Sequence, residues 1–390
     1  MKLYNESWVK NRDIVQQANQ WHRQSLLTDE QLDRIRQAYP INFWRPNPFV
    51  EIGLFLFTMV AMVGGYALLA LLLGELFDTV FGLFNLLMAI GTGTLAYVMI
   101  NRRQYYHNGV DNALIIGTAA LAVAAVTSLL PSSPPFWTIC AIALPVLLAL
   151  VWYAGDTLVM FVALVMFYGL IFDGLLEFSW GRPALPFVLI VVSEVAFQAA
   201  KRAERRPYYA DAFNLTEWVA LIVLVASGNY FVVREINGLL LPSAPGQPVF
   251  ADAPEIGLAA LFWVLTLAIP VAYLWQGLAR KNRMLLILGG VGLIAAVATV
   301  QEYTEWVPLN VALTLGGLIL IGMAVGVIRF LQQPRNGFTD VPDEESPNEF
   351  FTNVETIGAM QAATGTQHGP NDKLRYGGGD FGGGGSEGKY

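Results

Sequence analysis

Three acidic side chains lie within or against long apolar stretches, and these are the groups whose placement could do chemistry. Glu194 is the deepest. Gln198 and Lys201 follow it four and seven residues on, with Ser193 adjacent, so a helix carries them on one polar stripe. An ionised acid at the centre of a bilayer costs about 2.5–3.5 kcal/mol on insertion scales, so such a group usually has a purpose. Glu194 could line a cavity as a proton or cation site. It could equally be held neutral by burial, or be paired to a neighbouring helix for assembly. Asp173 and Glu177 are one turn apart and share a helix face. A carboxylate pair can bind a cation or trade a proton. Here Arg182, just beyond, could instead satisfy both. Arg234 and Glu235 are neighbours and are expected to neutralise each other.

Other chemistry finds no purchase. His22, His107 and His368 all fall outside the apolar stretches, which removes a histidine proton relay and a haem or zinc site there. The only cysteine, Cys140, lies in an apolar run and reads as a small buried side chain. There is no GxSxG elbow, HExxH pair or Walker loop. Gly290-Val-Gly292 has neither a strand before it nor a loop around it, so it is no nucleotide fingerprint. No cofactor and no metal are expected. The net charge of −7 resides largely in a C-terminal acidic tail and gives no argument for nucleic acid.

The elements that must position these groups are membrane helices. Of 390 residues, 55% are hydrophobic and 14% charged, too little polar surface for a soluble fold. A span needs about 20 apolar residues to cross a ~30 Å core. Ten stretches qualify: Ile52–Leu73, Val80–Ile100, Ala113–Leu130, Phe136–Tyr153, Thr157–Phe178, Ala184–Ala200, Thr216–Val233, Ile256–Leu278, Met284–Val300 and Val307–Phe330. The fold class is therefore an all-α, polytopic transmembrane helical bundle of about ten spans. Lys and Arg favour cytoplasmic loops. With the N-terminus inside, Arg102, Arg103, Lys201, Arg202, Arg205, Arg206, Arg280, Lys281 and Arg283 all fall in inner loops, and only Arg182 and Arg234 oppose the rule. Both termini are then cytoplasmic. The first apolar run acts as an uncleaved anchor. Gly322 and Gly326 form a GxxxG pair, read as internal helix packing.

Residues 1–48 form a cytoplasmic amphipathic helical lead. Trp8, Val15, Ala18 and His22 recur at helical spacing. Thr28 with Gln31 three residues on is a capping box for a second helix, which Pro40 ends. Trp44 and Arg45 suit the headgroup layer. The lead is either a docking module for a cytoplasmic protein partner or a helical pair lying on the membrane or on the protein's own loops. Residues 331–390 form an acidic, then Gly-rich tail that cannot bury enough apolar area to order itself. The tail could also reach a partner.

The run Leu26 to Tyr39, Leu-Leu-Thr-Asp-Glu-Gln-Leu-Asp-Arg-Ile-Arg-Gln-Ala-Tyr, set just before a many-span region, resembles the N-terminal helix of a bacterial family of multi-pass membrane proteins of unknown function. That resemblance implies a bacterial inner-membrane protein and no assigned activity. The residues themselves leave three functional classes open. The first is a non-enzymatic scaffold or accessory component acting through lead and tail. The second is a small-solute or proton-coupled transporter using Glu194, with Asp173 and Glu177 near an outer vestibule. The third is a lipid-linked sugar enzyme using an outer-loop carboxylate, Glu75 or Asp78.

Overall fold

The structure is a computed structural model. It describes residues 2–44, 46–131, 133–203, 206–241 and 254–304, with scattered positions between 311 and 329. Among the described residues there are twelve α-helices and one 3-10 turn, Pro207–Tyr209. Two short helices, α1 (Glu6–Arg23) and α2 (Asp29–Ala38), form the lead. Then come α3 (Pro48–Leu73), α4 (Leu76–Arg103), α5 (Val110–Thr127), α6 (Phe136–Ala154), α7 (Thr157–Leu176), α8 (Gly181–Ala203), α9 (Ala210–Gly228), α10 (Tyr230–Leu239), α11 (Ala259–Arg280) and α12 (Arg283–Thr304). Nine of these are long and apolar enough to cross a bilayer, namely all from α3 to α12 except the short α10. The tenth expected span, Val307–Phe330, lies mostly outside the described residues, although its described positions are helical. The tail at 331–390 lies outside them entirely.

What surrounds the helices is legible from their exposed faces. Phe57, Val60, Leu71 and Leu72 of α3 are 73–83% exposed. Val191 and Val195 of α8 and Trp275 of α11 are similarly bare. Apolar surface on this scale, repeated over the long helices other than α5, needs hydrocarbon as its solvent. The chain is a multi-pass membrane protein.

Consecutive helices pair as antiparallel hairpins: α4 with α5, α6 with α7, α8 with α9, α11 with α12. Two cores result. One joins the lead to α4, α5, α6 and α7 around Leu114, Leu147 and Val159. The other joins α8, α9, α11 and α12 around Phe197, Leu221 and Leu285. Short connections after α4, α6 and α8 gather at one end, because Tyr4 and its neighbours touch all three. The α11–α12 connection lies at that end too. Tyr273 of α11 donates to the Leu221 carbonyl of α9 at 3.2 Å, while Thr266 sits beside Tyr230, so α11 runs back along α9. Arg102, Arg103, Lys201, Arg202, Arg206, Arg280, Lys281 and Arg283 thus collect at the end where the lead docks.

The capping box forms as expected: the Thr28 N–H donates to Gln31 at 2.9 Å and the Gln31 N–H to Thr28 at 3.3 Å. The lead lies on the protein's own loops. Trp8 meets Phe43, and Phe43 stacks on Tyr106 at 4.2 Å between ring centres. Two span readings need correction. The sixth span is longer than Ala184–Ala200: α8 begins at Gly181, with Pro183 in its first turn, where a missing N–H costs little, and Pro186 inside the helix. The seventh is not a continuous Thr216–Val233. It runs from Ala210 to Gly228 and breaks at Asn229, whose backbone is extended.

The α11–α12 hairpin is drawn tight by small residues. A Cβ on Gly292 would meet Pro270 Cγ at 2.8 Å and Cβ at 3.1 Å, a rigid ring that cannot yield. Gly290 faces open space. Gly292→Ala is therefore expected to cost about 1–3 kcal/mol through overpacking, read as a lower thermal midpoint in detergent. Gly290→Ala should leave the midpoint unchanged or raise it, since Ala is the better helix former.

Candidate functional site

The break after Gly228, where the α9 span ends, leaves backbone groups without a helical partner, and neighbouring side chains take them up. The Asn229 side-chain carbonyl accepts the Val232 N–H at 3.2 Å, capping α10. Its amide donates to Thr299 Oγ1 of α12 at 3.1 Å. The Tyr230 N–H, which a continuous helix would have paired internally, donates to Thr266 Oγ1 of α11 at 2.8 Å. Asn229, Thr266 and Thr299 are each buried. Three helices are thus tied to one interruption by polar groups within otherwise apolar packing. One turn further, an aromatic cage forms. Tyr230 stacks on Trp263 at 4.5 Å, the Arg234 guanidinium lies 4.6 Å from the Tyr303 ring centre, and the Tyr303 hydroxyl donates to Glu235 Oε1 at 3.1 Å. Arg234 and Glu235 therefore meet through Tyr303.

Two cavities flank the break. One, of about 390 Å³, is bounded by α9, α10 and α12 and includes Asn229, Gly292, Thr299 and Glu302. The other, of about 430 Å³, lies between α8, α9 and α10 and is almost wholly apolar, with Arg182 and Asn237 in its wall. Apolar volumes of this size with a few converging polar groups are where small ligands bind.

The residues singled out from sequence fall elsewhere. Glu194 accepts a 2.8 Å hydrogen bond from Gln198, but both belong to the outer flank of α8. Ser193, fully buried, and Phe197, at 2% exposure, take the inward face. Glu194, one residue after Ser193, is turned about 100° away by the 3.6-residue repeat, between the exposed Val191 and Val195. Asp173 accepts the Trp137 N–H at 2.8 Å, so it caps the first turn of α6 from the adjacent helix. Glu177 is exposed at the end of α7. Arg182 donates to the Leu240 carbonyl at 3.0 Å. Among the described residues no ion pair joins it to Glu177 or Asp173. Glu75 and Asp78 stand exposed at the start of α4, where negative charge offsets the helix dipole. Neither borders a cavity described above. Cys140 is buried against Met166, and no metal-binding group of His, Cys, Asp and Glu occurs among the described residues.

A second buried polar cluster closes the opposite end. Asp111 is fully buried and accepts four bonds: from Tyr4 Oη at 2.8 Å, and from the N–H groups of His107, Asn108 and Asn112 at 2.8, 3.0 and 2.9 Å. Asp156, 1% exposed, caps α7 by accepting the Val159 N–H at 3.0 Å. Leu3 and Lys2 donate to the Tyr153 and Trp152 carbonyls, covering the free end of α6. Burial pushes the Tyr4 hydroxyl well above its ordinary value, and the Asp111 charge adds to this.

Reading the break from sequence required weighing one signal, Ser227-Gly228-Asn229 within an apolar run, where Gly-Asn punctuation precedes a capping Asn. Comparisons with protein-family models, with curated proteins and with solved structures each return no match to this chain.

Burial pushes the Asp156 carboxyl above its ordinary 3.8, against the Val159 hydrogen bond and the His107 charge, with Asp111 adding to the rise. The folded state then binds this proton more tightly than the unfolded chain does, so stability from Asp156 grows as pH falls from neutral through the raised value. Asp156→Asn keeps an acceptor for the Val159 N–H and removes the buried charge. It should hold or raise the thermal midpoint at pH 7.5 and, relative to the parent, flatten the gain as pH falls from neutral towards the ordinary 3.8. A midpoint that drops while the parent's pH slope persists would refute the assignment.

Proposed function

We propose that this chain is a transporter of the bacterial inner membrane that binds a small amphipathic solute at the interruption between α9 and α10. The observation that carries this reading is the Asn229–Thr299 bond inside the 390 Å³ cavity. A helix left continuous would be more stable, so the interruption asks for a use, and an exchangeable polar seam beside an apolar volume supplies one. Asn229 and Thr299 are the solute's hydrogen-bonding partners. Gly292 keeps the wall of the cavity low. Glu302 at its rim gives one acidic contact. The basic end that receives the lead faces the cytosol, consistent with the preference of Lys and Arg for that side.

A second reading, a scaffold or accessory component, is favoured by one feature. Glu194 and Gln198 present a hydrogen-bonded polar pair on the outward flank of α8, where a partner helix would meet it.

Three measurements test these readings. In proteoliposomes loaded with a panel of small amines, acids and sugars, one solute should show saturable uptake. Thr299→Val and Asn229→Ala should each cut that uptake at least tenfold, with membrane abundance within twofold of the parent. Undiminished uptake in both variants, or none for any solute, counts against the transporter. For sidedness, in a Cys140→Ala background, a membrane-impermeant maleimide should label Glu75→Cys in intact cells and Asn282→Cys only after lysis. Glu194→Gln separates the second reading: loss of a co-purifying membrane protein with uptake intact supports the scaffold.

A further inference from the structure

The 430 Å³ cavity differs in kind from its neighbour across α9. Its wall is apolar from Phe172 of α7 through Leu189 of α8 to Ile222 and Val223 of α9. Among the residues that line it, Arg182 carries the only charge. That guanidinium gives one N–H to the Leu240 carbonyl and has further donors to offer. Its depth is set by what precedes it. Phe178 and Trp180 stack at 5.3 Å between ring centres and are 54% and 56% exposed, as in the aromatic belt at a membrane surface. Arg182 therefore stands at headgroup level. Leu189 lies two turns further along α8, roughly 10 Å deeper at 1.5 Å per residue. The cavity runs from a cation at the interface down about two-thirds of one leaflet of a ~30 Å core. Ile222, half exposed, leaves its flank open to the bilayer.

We propose that this cavity is a binding site for one phospholipid of the adjacent leaflet. The phosphate sits on Arg182, one acyl chain fills the space between α8 and α9, and the second chain stays in the bilayer through the open flank. A phosphodiester suits the site because it is anionic at every physiological pH and offers oxygens to several guanidinium N–H groups. The site is separate from the solute seam at Asn229, and it stands whether or not the chain transports anything.

Native mass spectrometry of the detergent-purified full chain tests this, using dioleoyl phosphatidylglycerol, dioleoylglycerol and oleate as probes. The parent should retain one phosphatidylglycerol, at least tenfold in preference to dioleoylglycerol, which has the same chains without the phosphate. Arg182→Gln should lose at least tenfold in retention, Arg182→Lys should keep most of it, and Leu189→Trp should abolish it by filling the cavity. Equal retention of dioleoylglycerol by the parent would overturn the proposal, leaving an unspecific apolar groove. Preferential retention of oleate would overturn it in favour of a fatty-acid site. The comparison of the three probes needs only the unaltered protein, so a variant that misfolds does not decide the result.

Discussion

Hydrocarbon offers no hydrogen bonds, and this constraint governs the molecule. Every backbone N–H and C=O within the bilayer must find its partner in the protein. The long helices described satisfy it largely internally, except where Pro145, Pro186 and Pro270 interrupt the ladders of α6, α8 and α11. α9 stops at Gly228 and hands its obligations to side chains from two other helices, Thr266 and Thr299, and to Asn229 itself. The break is tolerable only where α11 and α12 stand close enough to supply those oxygens. That closeness comes from Gly292 against Pro270 and from Gly289, whose missing Cβ would meet the Leu274 backbone nitrogen at 2.9 Å. Helix packing and the polar seam are thus one device: small residues bring the helices together, and proximity makes the interruption affordable.

The two ends of the bundle solve different problems. At the basic end the connections are short, and the chain's own N-terminal residues close them. Lys2 and Leu3 cap α6, Tyr4 reaches the buried Asp111, and Arg12 donates to the Tyr106 hydroxyl. The lead buries Val9, Val15 and Ala18, and Val9 joins the core that holds Tyr106. At the opposite end the groups are aromatic and more open: Tyr230 and Tyr303 flank Arg234, Trp263 stacks on Tyr230, and Phe178 stacks on Trp180 just ahead of Arg182. Buried hydrogen bonds close one end, and the two cavities lie towards the other.

Composition and apolar run lengths alone determined the class. About twenty apolar residues in succession can only be a membrane helix, so the all-α bundle, its approximate span count, the capped second helix of the lead and the buried Cys140 were all legible before any coordinates. These are local properties, and local physics decides them. The site was not local. Glu194 looked important because its depth along the chain is readable, whereas its direction depends on which face α8 turns to α7 and α9. Asp173 looked like half of a carboxylate pair, and only the position of α6 shows that it serves as a cap. Asn229, Thr266 and Thr299 are unremarkable residues far apart in sequence, and nothing in their spacing relates them. The antiparallel return of α11 and α12 beside α9 brings them to one point, because tertiary packing, not sequence order, chooses which hydroxyl faces an unpaired N–H.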